Sequence, residues 1–128
     1  ILLSNTNSKL LIKSKNLGDF TVAKNIIESF KNKNIEKDRL ILRGESKTRK
    51  EVLETYNEID IALDPFPFQG NTSTCEALWM GVPVLTLKGN RYLSHFGESI
   101  NANLNLHNWI AKNESEYLSK AINFASDV

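Results

Sequence analysis

Residues 59–87 read IDIALDPFPFQGNTSTCEALWMGVPVLTL, and the order of their parts decides the fold. Ile59–Leu63 is a short apolar run with strand character that ends at Asp64-Pro65. A loop stiffened by Pro65 and Pro67 follows, and Gly70 gives it freedom to turn sharply. A helix is expected from about Thr72 to Met80, closed by Gly81 as a C′ glycine. Pro83–Leu87 is a second strand. Working outward, Leu10-Leu11-Ile12 and Leu40-Ile41-Leu42 read as two more strands. Ala23, Ile26, Ile27 and Phe30 recur at helical spacing between them. Val52, Leu53 and Tyr56 mark a helix that Thr48-x-x-Glu51 opens as a capping box. Leu93, Phe96 and Ile100 mark another helix, and Tyr117, Leu118, Ala121, Ile122 and Ala125 a last one.

Strands without polar alternation, separated by helices, imply a parallel sheet covered on both faces. With right-handed crossovers this gives an α/β, Rossmann-like doubly wound sheet. The 128 residues suit one domain, so residues 1–128 are read as a single unit. The Asn/Lys clusters at 31–38 and 101–108 are loops or solvated helix ends. Hydrophobic and charged fractions of 41% and 24% are those of an ordinary globular protein. Sixteen basic and fifteen acidic side chains leave a net charge of +1, so balance implies neither nucleic acid nor a membrane surface as partner. One cysteine allows no internal disulfide and fits a reducing, cytoplasmic location. Ile1–Leu3 is too short an apolar run for a signal peptide or a span. It resembles the tail of a helix, and the chain is read as a piece of a longer enzyme.

In an open parallel sheet, ligands bind beyond the carboxyl ends of the strands. Asp64–Thr74 lies at such an end, and its last residues, Asn71, Thr72, Ser73 and Thr74, open a helix. The first N–H groups of a helix have no internal partner, and the dipole leaves partial positive charge there. Hydroxyls beside free N–H groups suit a pyrophosphate. The local sequence has a second reading, because Ser and Thr are common N-caps and Ser73-x-x-Glu76 fits a capping box. Glu76 shares that ambiguity: it reaches back to the helix start, or it accepts hydrogen bonds from ribose hydroxyls on the face it shares with Thr72.

The run LDPFPFQGNTSTCEALWMGVPVLTL closely resembles the C-terminal catalytic half of the O-linked N-acetylglucosamine transferase family, above all its bacterial and SPINDLY-like members. The resemblance reaches back through Asp60–Leu63, Arg39–Gly44 and Ser8–Ser14. It continues forward through Arg91, Ser94, Gly97, Ser99, Ile110-Ala111 and Tyr117. It implies the GT-B architecture, two Rossmann-like halves with the donor nucleotide lying mainly on the C-terminal one. It places Asn71, Thr72, Ser73 and Thr74 at the donor pyrophosphate, Glu76 at the ribose, and Lys47, Arg49 and Val52 on the nucleobase side. The implied reaction is an inverting transfer to a protein Ser/Thr hydroxyl, with UDP-GlcNAc as the first choice of donor and fucose on GDP or a hexose on UDP as alternatives. The acceptor would be held by the missing N-terminal half, and tetratricopeptide repeats are expected upstream. No catalytic group is expected in this fragment, which alone should be inactive. No cofactor and no metal are expected either, since the chain has no Asp-x-Asp pair and its two histidines, His95 and His107, are far apart in sequence.

Three positions depart from the family pattern. Val52 stands where many members carry a histidine against the base. His95 stands where Arg is usual, and is read as a solvated helix position. Asn71 stands where His or Thr is common and can still donate a hydrogen bond. Cys75, Leu78 and Trp79 are read as one core stripe, and Trp109 as the anchor of a turn. Phe66 and Phe68 either shape the cleft floor or pack under their loop. Two alternatives are another GT-B enzyme (a sugar-nucleotide epimerase, or a transferase acting on lipid or carbohydrate) and a flavodoxin-like binding module. Tandem repeats of roughly 34 residues upstream would favour a protein acceptor. The acidic or Gly-rich loop usual after the first strand of a flavodoxin-like module is missing here.

Overall fold

The computed structural model describes residues 1–127. Two compact units divide the chain between Val52 and Leu53, each with its own parallel sheet. In the first, β1 (Leu10–Lys13) pairs with β2 (Leu40–Arg43), Leu10 opposite Leu40 and Lys13 opposite Arg43. Parallel neighbours need a crossover, and α1 (Phe20–Lys31) supplies it. The Asp19 carboxylate caps α1, accepting from the N–H groups of Thr21 at 2.7 Å and Val22 at 3.2 Å. Ala23, Ile26, Ile27 and Phe30 line the half-buried side of α1, as their spacing requires.

Helix α2 (Arg49–Glu54) begins in the first unit and ends in the second. Its capping box is present with one arm shifted. The Thr48 hydroxyl accepts from Glu51 N–H at 3.2 Å, and the Glu51 carboxylate reaches back to Lys47 N–H at 2.8 Å. A 3-10 turn, Thr55–Glu58, continues from it.

The second unit runs β3 (Ala62–Leu63), α3 (Thr72–Trp79), β4 (Val84–Leu87), α4 (Phe96–Asn103), β5 (Ile110–Ala111) and α5 (Glu114–Phe124). Its strands are parallel in the order β3-β4-β5, with Ala62 opposite Val84 and Thr86 opposite Ile110. The alternation of strands and helices expected from sequence is therefore what the chain forms. Two details differ. The third strand keeps only the last two residues of the expected Ile59–Leu63, and Ile110-Ala111 is a fifth strand that two residues of pattern could not announce.

Strand β4 lies between the other two, and Val84, Leu85 and Thr86 are all buried. Ala77, Val82 and Val84 form a core cluster against which Tyr56, Ile59, Ala62 and Leu78 pack. Helix α3 ends as expected. Gly81 has φ +83°, its N–H bonds the Leu78 carbonyl at 3.1 Å, and Val82 N–H bonds the Ala77 carbonyl at 2.8 Å. This is a Schellman stop, and only glycine takes that φ without cost.

One sequence expectation fails here. Cys75 and Trp79 are not core: Cys75 is exposed and Trp79 is 85% exposed. The inward stripe of α3 is Thr74, Ala77 and Leu78, spaced i, i+3, i+4. Residues 75 and 79 are one turn apart on the opposite side. Hydrophobic character misled the reading, because helical phase decides which side is buried.

Candidate functional site

The carboxyl ends of β3, β4 and β5 lie along one edge, since all three strands are parallel. The loop from Asp64 to Asn71 leaves that edge and leads into α3. A buried polar network holds it. The Asp64 side chain, 3% exposed, accepts from Gly70 N–H at 2.7 Å and from the Thr86 hydroxyl at 2.7 Å. Gln69, 1% exposed, donates from its amide to the Leu87 carbonyl and accepts from Gly97 N–H at 2.9 Å. The Tyr117 hydroxyl donates to the Asp64 carbonyl at 3.2 Å. Both ends of the loop are thus fixed to β4, α4 and α5.

Burial raises the Asp64 carboxyl above its ordinary pKa, and the bonds from Gly70 and Thr86 partly oppose that rise. The same burial pushes the Tyr117 phenol upward, with the Asp64 charge adding to it. Asp64, Gln69 and Thr86 are not among the residues that the sequence pattern singles out for the site. The available signal was an acid, an amide and a hydroxyl inside or beside apolar runs, where a buried polar group needs a partner.

Gly70 has a different reason from the one expected. Its φ is not positive; Gly81 alone among the described glycines has that. What the site needs is space, because a Cβ on Gly70 would stand 2.5 Å from the Ser73 hydroxyl oxygen.

Asn71 is the N-cap position of α3, and its side chain makes no capping hydrogen bond among the described residues. Asn71, Thr72 and Ser73 are exposed. Thr74 is buried and donates its hydroxyl to the Gly70 carbonyl at 3.0 Å. Its side chain braces the loop. Ser73 already lies inside the helix, and the Glu76 carboxylate accepts from the Tyr56 hydroxyl at 3.2 Å. The arrangement joins a helix start open to solvent, exposed amide and hydroxyl donors, and a carboxylate one turn further on. Such a constellation can take an anion at the helix start and a hydroxyl donor at Glu76.

The remaining sequence candidates take these places. Lys47 and Arg49 are exposed before and at the start of α2, and Val52 is half-buried within it. His95 precedes α4 and pairs through Nδ1 with Glu98 at 2.8 Å, while Lys88 reaches the other Glu98 oxygen at 2.7 Å. Lys88, more than His95, holds the Glu98 carboxyl below the usual range. Phe66 packs edge-on against Tyr117 with centroids 5.5 Å apart, and Phe68 is exposed. Trp109 lies 4.2 Å from Phe124, ring to ring. Among the described residues no three His, Cys, Asp or Glu side chains gather as metal ligands, and no helix is long and apolar enough to cross a membrane.

Comparison with known proteins gives a consistent result. The sequence profile of glycosyl transferase family 41 matches residues 10–128. Proteins named probable UDP-N-acetylglucosamine–peptide N-acetylglucosaminyltransferase SPINDLY, from Eustoma exaltatum subsp. russellianum and Petunia hybrida, are each 34% identical across the whole chain. The chain spans 14% of the length of those relatives. A solved structure of an O-GlcNAc transferase mutant from Thermobaculum terrenum superposes with a TM-score of 0.94 at 31% identity. That likeness covers 99% of this chain and 24% of the other.

Proposed function

The chain belongs to glycosyl transferase family 41, and from that membership we propose that it is the donor-binding part of a protein O-glycosyltransferase. In this reading the diphosphate of a nucleotide sugar sits on the start of α3, contacted by Asn71, Thr72, Ser73 and the Thr74 N–H. Glu76 takes the ribose, and Lys47, Arg49 and Val52 are assigned to the base by the family resemblance alone. The names of the SPINDLY relatives specify UDP-N-acetylglucosamine and a peptide acceptor, which supports UDP-GlcNAc as donor and Ser/Thr hydroxyls as acceptors. The observation that carries the reading is the open start of α3, held in place by a buried network.

Departure of the nucleoside diphosphate builds negative charge on the phosphate oxygens. Fixed N–H and O–H donors at a helix start stabilise that charge without reorganising. The transfer is proposed to be inverting and to need no metal or cofactor, since the sequence has no Asp-x-Asp pair to hold a cation against the diphosphate. The acceptor surface and the general base are assigned to the rest of the protein, consistent with the small share of the relatives that this chain spans. Upstream tetratricopeptide repeats and a cytoplasmic location belong to the same proposal; the single cysteine agrees with the latter.

The test is transfer of labelled sugar from UDP-GlcNAc to a Ser/Thr peptide by the full-length protein, with and without excess EDTA. Transfer that survives EDTA is expected, with none from residues 1–128 alone. Activity abolished by EDTA and restored by Mg²⁺ or Mn²⁺ would remove the helix-start account of leaving-group stabilisation. Transfer by the isolated segment at the full-length rate would contradict the division of labour.

A further inference from the structure

Helical spacing makes Tyr56 one apolar position on a helix face, and its ring packs against the Ala77–Val82–Val84 cluster. Its hydroxyl does something else. It lies 3.2 Å from Glu76 Oε2 and 3.2 Å from the Ser73 carbonyl oxygen. One O–H proton is shared between a side chain and a backbone group of the same helix, both in the two turns that form the candidate site. From this geometry we infer that Tyr56 is a positioning residue for the donor ribose, acting through Glu76. The inference rests on the proposed donor site.

The chemistry follows from what each group can do. Glu is a long side chain with high rotamer freedom, and fixing it on binding costs affinity. A phenol rooted in the core is a rigid arm, since its ring is held by packing and only its O–H rotates. Donating to Oε2, it restricts the carboxylate before any ligand arrives. An ionised carboxylate has about four lone-pair sites, so a bond from one phenol does not by itself bar ribose hydroxyls from donating to it. The second acceptor, the Ser73 carbonyl, ties the same hydroxyl to the first turn of α3. Tyr56 therefore fixes the spacing between the helix start, where the phosphates would lie, and the carboxylate, where the sugar of the nucleoside would lie. Without the hydroxyl both parts remain, but this tie between them is lost.

The test uses the full-length protein as wild type, Tyr56→Phe, Glu76→Ala and the double variant. Each is titrated with UDP and with 2′,3′-dideoxy-UDP, and in parallel with GDP and its dideoxy form. Wild type should prefer the ribose form. Tyr56→Phe should weaken binding of the ribose nucleotide by about three- to ten-fold, the range for one hydrogen bond. It should leave the dideoxy nucleotide unchanged, and it should add nothing to Glu76→Ala. The inference is overturned if Tyr56→Phe weakens ribose and dideoxy forms equally, the mark of a merely structural role. It is also overturned if Tyr56→Phe binds as wild type does while Glu76→Ala loses affinity; the donor reading then stands without it. If wild type binds none of the four nucleotides, or does not distinguish ribose from dideoxyribose, the donor reading fails and takes the inference with it.

Discussion

Two strand-to-helix junctions of the second unit leave the same edge of the same sheet and are built in opposite ways. Between β5 and α5 the chain uses two residues and closes the helix with its own side chains. Asn113 accepts from Glu116 N–H at 2.9 Å, and the Glu116 carboxylate accepts from Lys112 N–H at 2.9 Å. Between β3 and α3 the chain spends eight residues, 64–71, and the N-cap side chain of Asn71 closes nothing among the described residues. There the polar groups are invested below the helix start, in Asp64, Gln69 and Thr86. A helix whose role is packing satisfies its own first turn. On the proposed reading, a helix whose first turn is to meet a ligand leaves it open and is fixed in position from beneath.

The largest effect should come from filling the ground under α3. A Cβ on Gly97 would stand 2.3 Å from the Thr86 hydroxyl oxygen and 2.5 Å from an Asp64 carboxylate oxygen, both buried. Gly97→Ala is expected to cost about 3 kcal/mol, as overpacking beside buried polar groups does. Urea unfolding measures it, and a cost below about 1 kcal/mol would show that the network yields easily.

Next comes removal of the network's acid. Asp64→Ala leaves Gly70 N–H and the Thr86 hydroxyl without that acceptor, so a loss of about 2 kcal/mol is expected, with a smaller loss for Asp64→Asn. The two differ in pH response from wild type. Because burial raises the Asp64 pKa, the folded state holds that proton more tightly than the unfolded state. Its ionisation therefore opposes folding, and wild type should gain stability as pH falls through the raised value toward the ordinary 3.8. Neither variant can show that gain. Glu98 runs the other way. Its lowered pKa contributes stability above the ordinary 4.5 that is lost as pH falls through the lowered value. Its partners are surface groups, so Lys88→Met should change this by only a few tenths of a kcal/mol. Unfolding curves over acidic pH separate the two signs.

A paired substitution then sharpens the comparison itself. Asn113→Ala removes a working cap and should cost about 1 kcal/mol. Asn71→Ala removes no cap, and its stability should stay within about 0.5 kcal/mol of wild type, while nucleotide affinity of the full-length protein falls. Equal destabilisation at both positions would mean that α3 is capped in solution much as α5 is.

The fold was legible because strands and helices announce themselves over enough residues: β1, β2 and β4 as apolar runs, α1, α2, α4 and α5 by helical spacing, and α3 by its hydroxyl start and its Gly81 stop. Strand β5 was not, since two residues carry no period. The outward position of Trp79 was not either, since α3 is eight residues long and its inward stripe, Thr74-Ala77-Leu78, includes a hydroxyl where an apolar residue was expected. The site divides along the same line. Residues 71–76 could be named from a helix start with hydroxyls and an acid one turn on. Asp64, Gln69 and Thr86 stood out only as polar groups in or beside apolar runs, and their roles, like that of Tyr56, depend on partners 6 to 28 residues away. Spacing within one element says nothing about such distances.

The central claim is that the open first turn of α3 receives the diphosphate. Amide hydrogen exchange by mass spectrometry on the full-length protein, free and saturated with UDP, tests it most directly. First-turn N–H groups without helical partners exchange fast until a ligand accepts from them. Peptides covering 71–76 should slow markedly when UDP is bound, while those covering 113–117 should not change. Saturating UDP that leaves 71–76 exchanging as in the free protein would contradict the account.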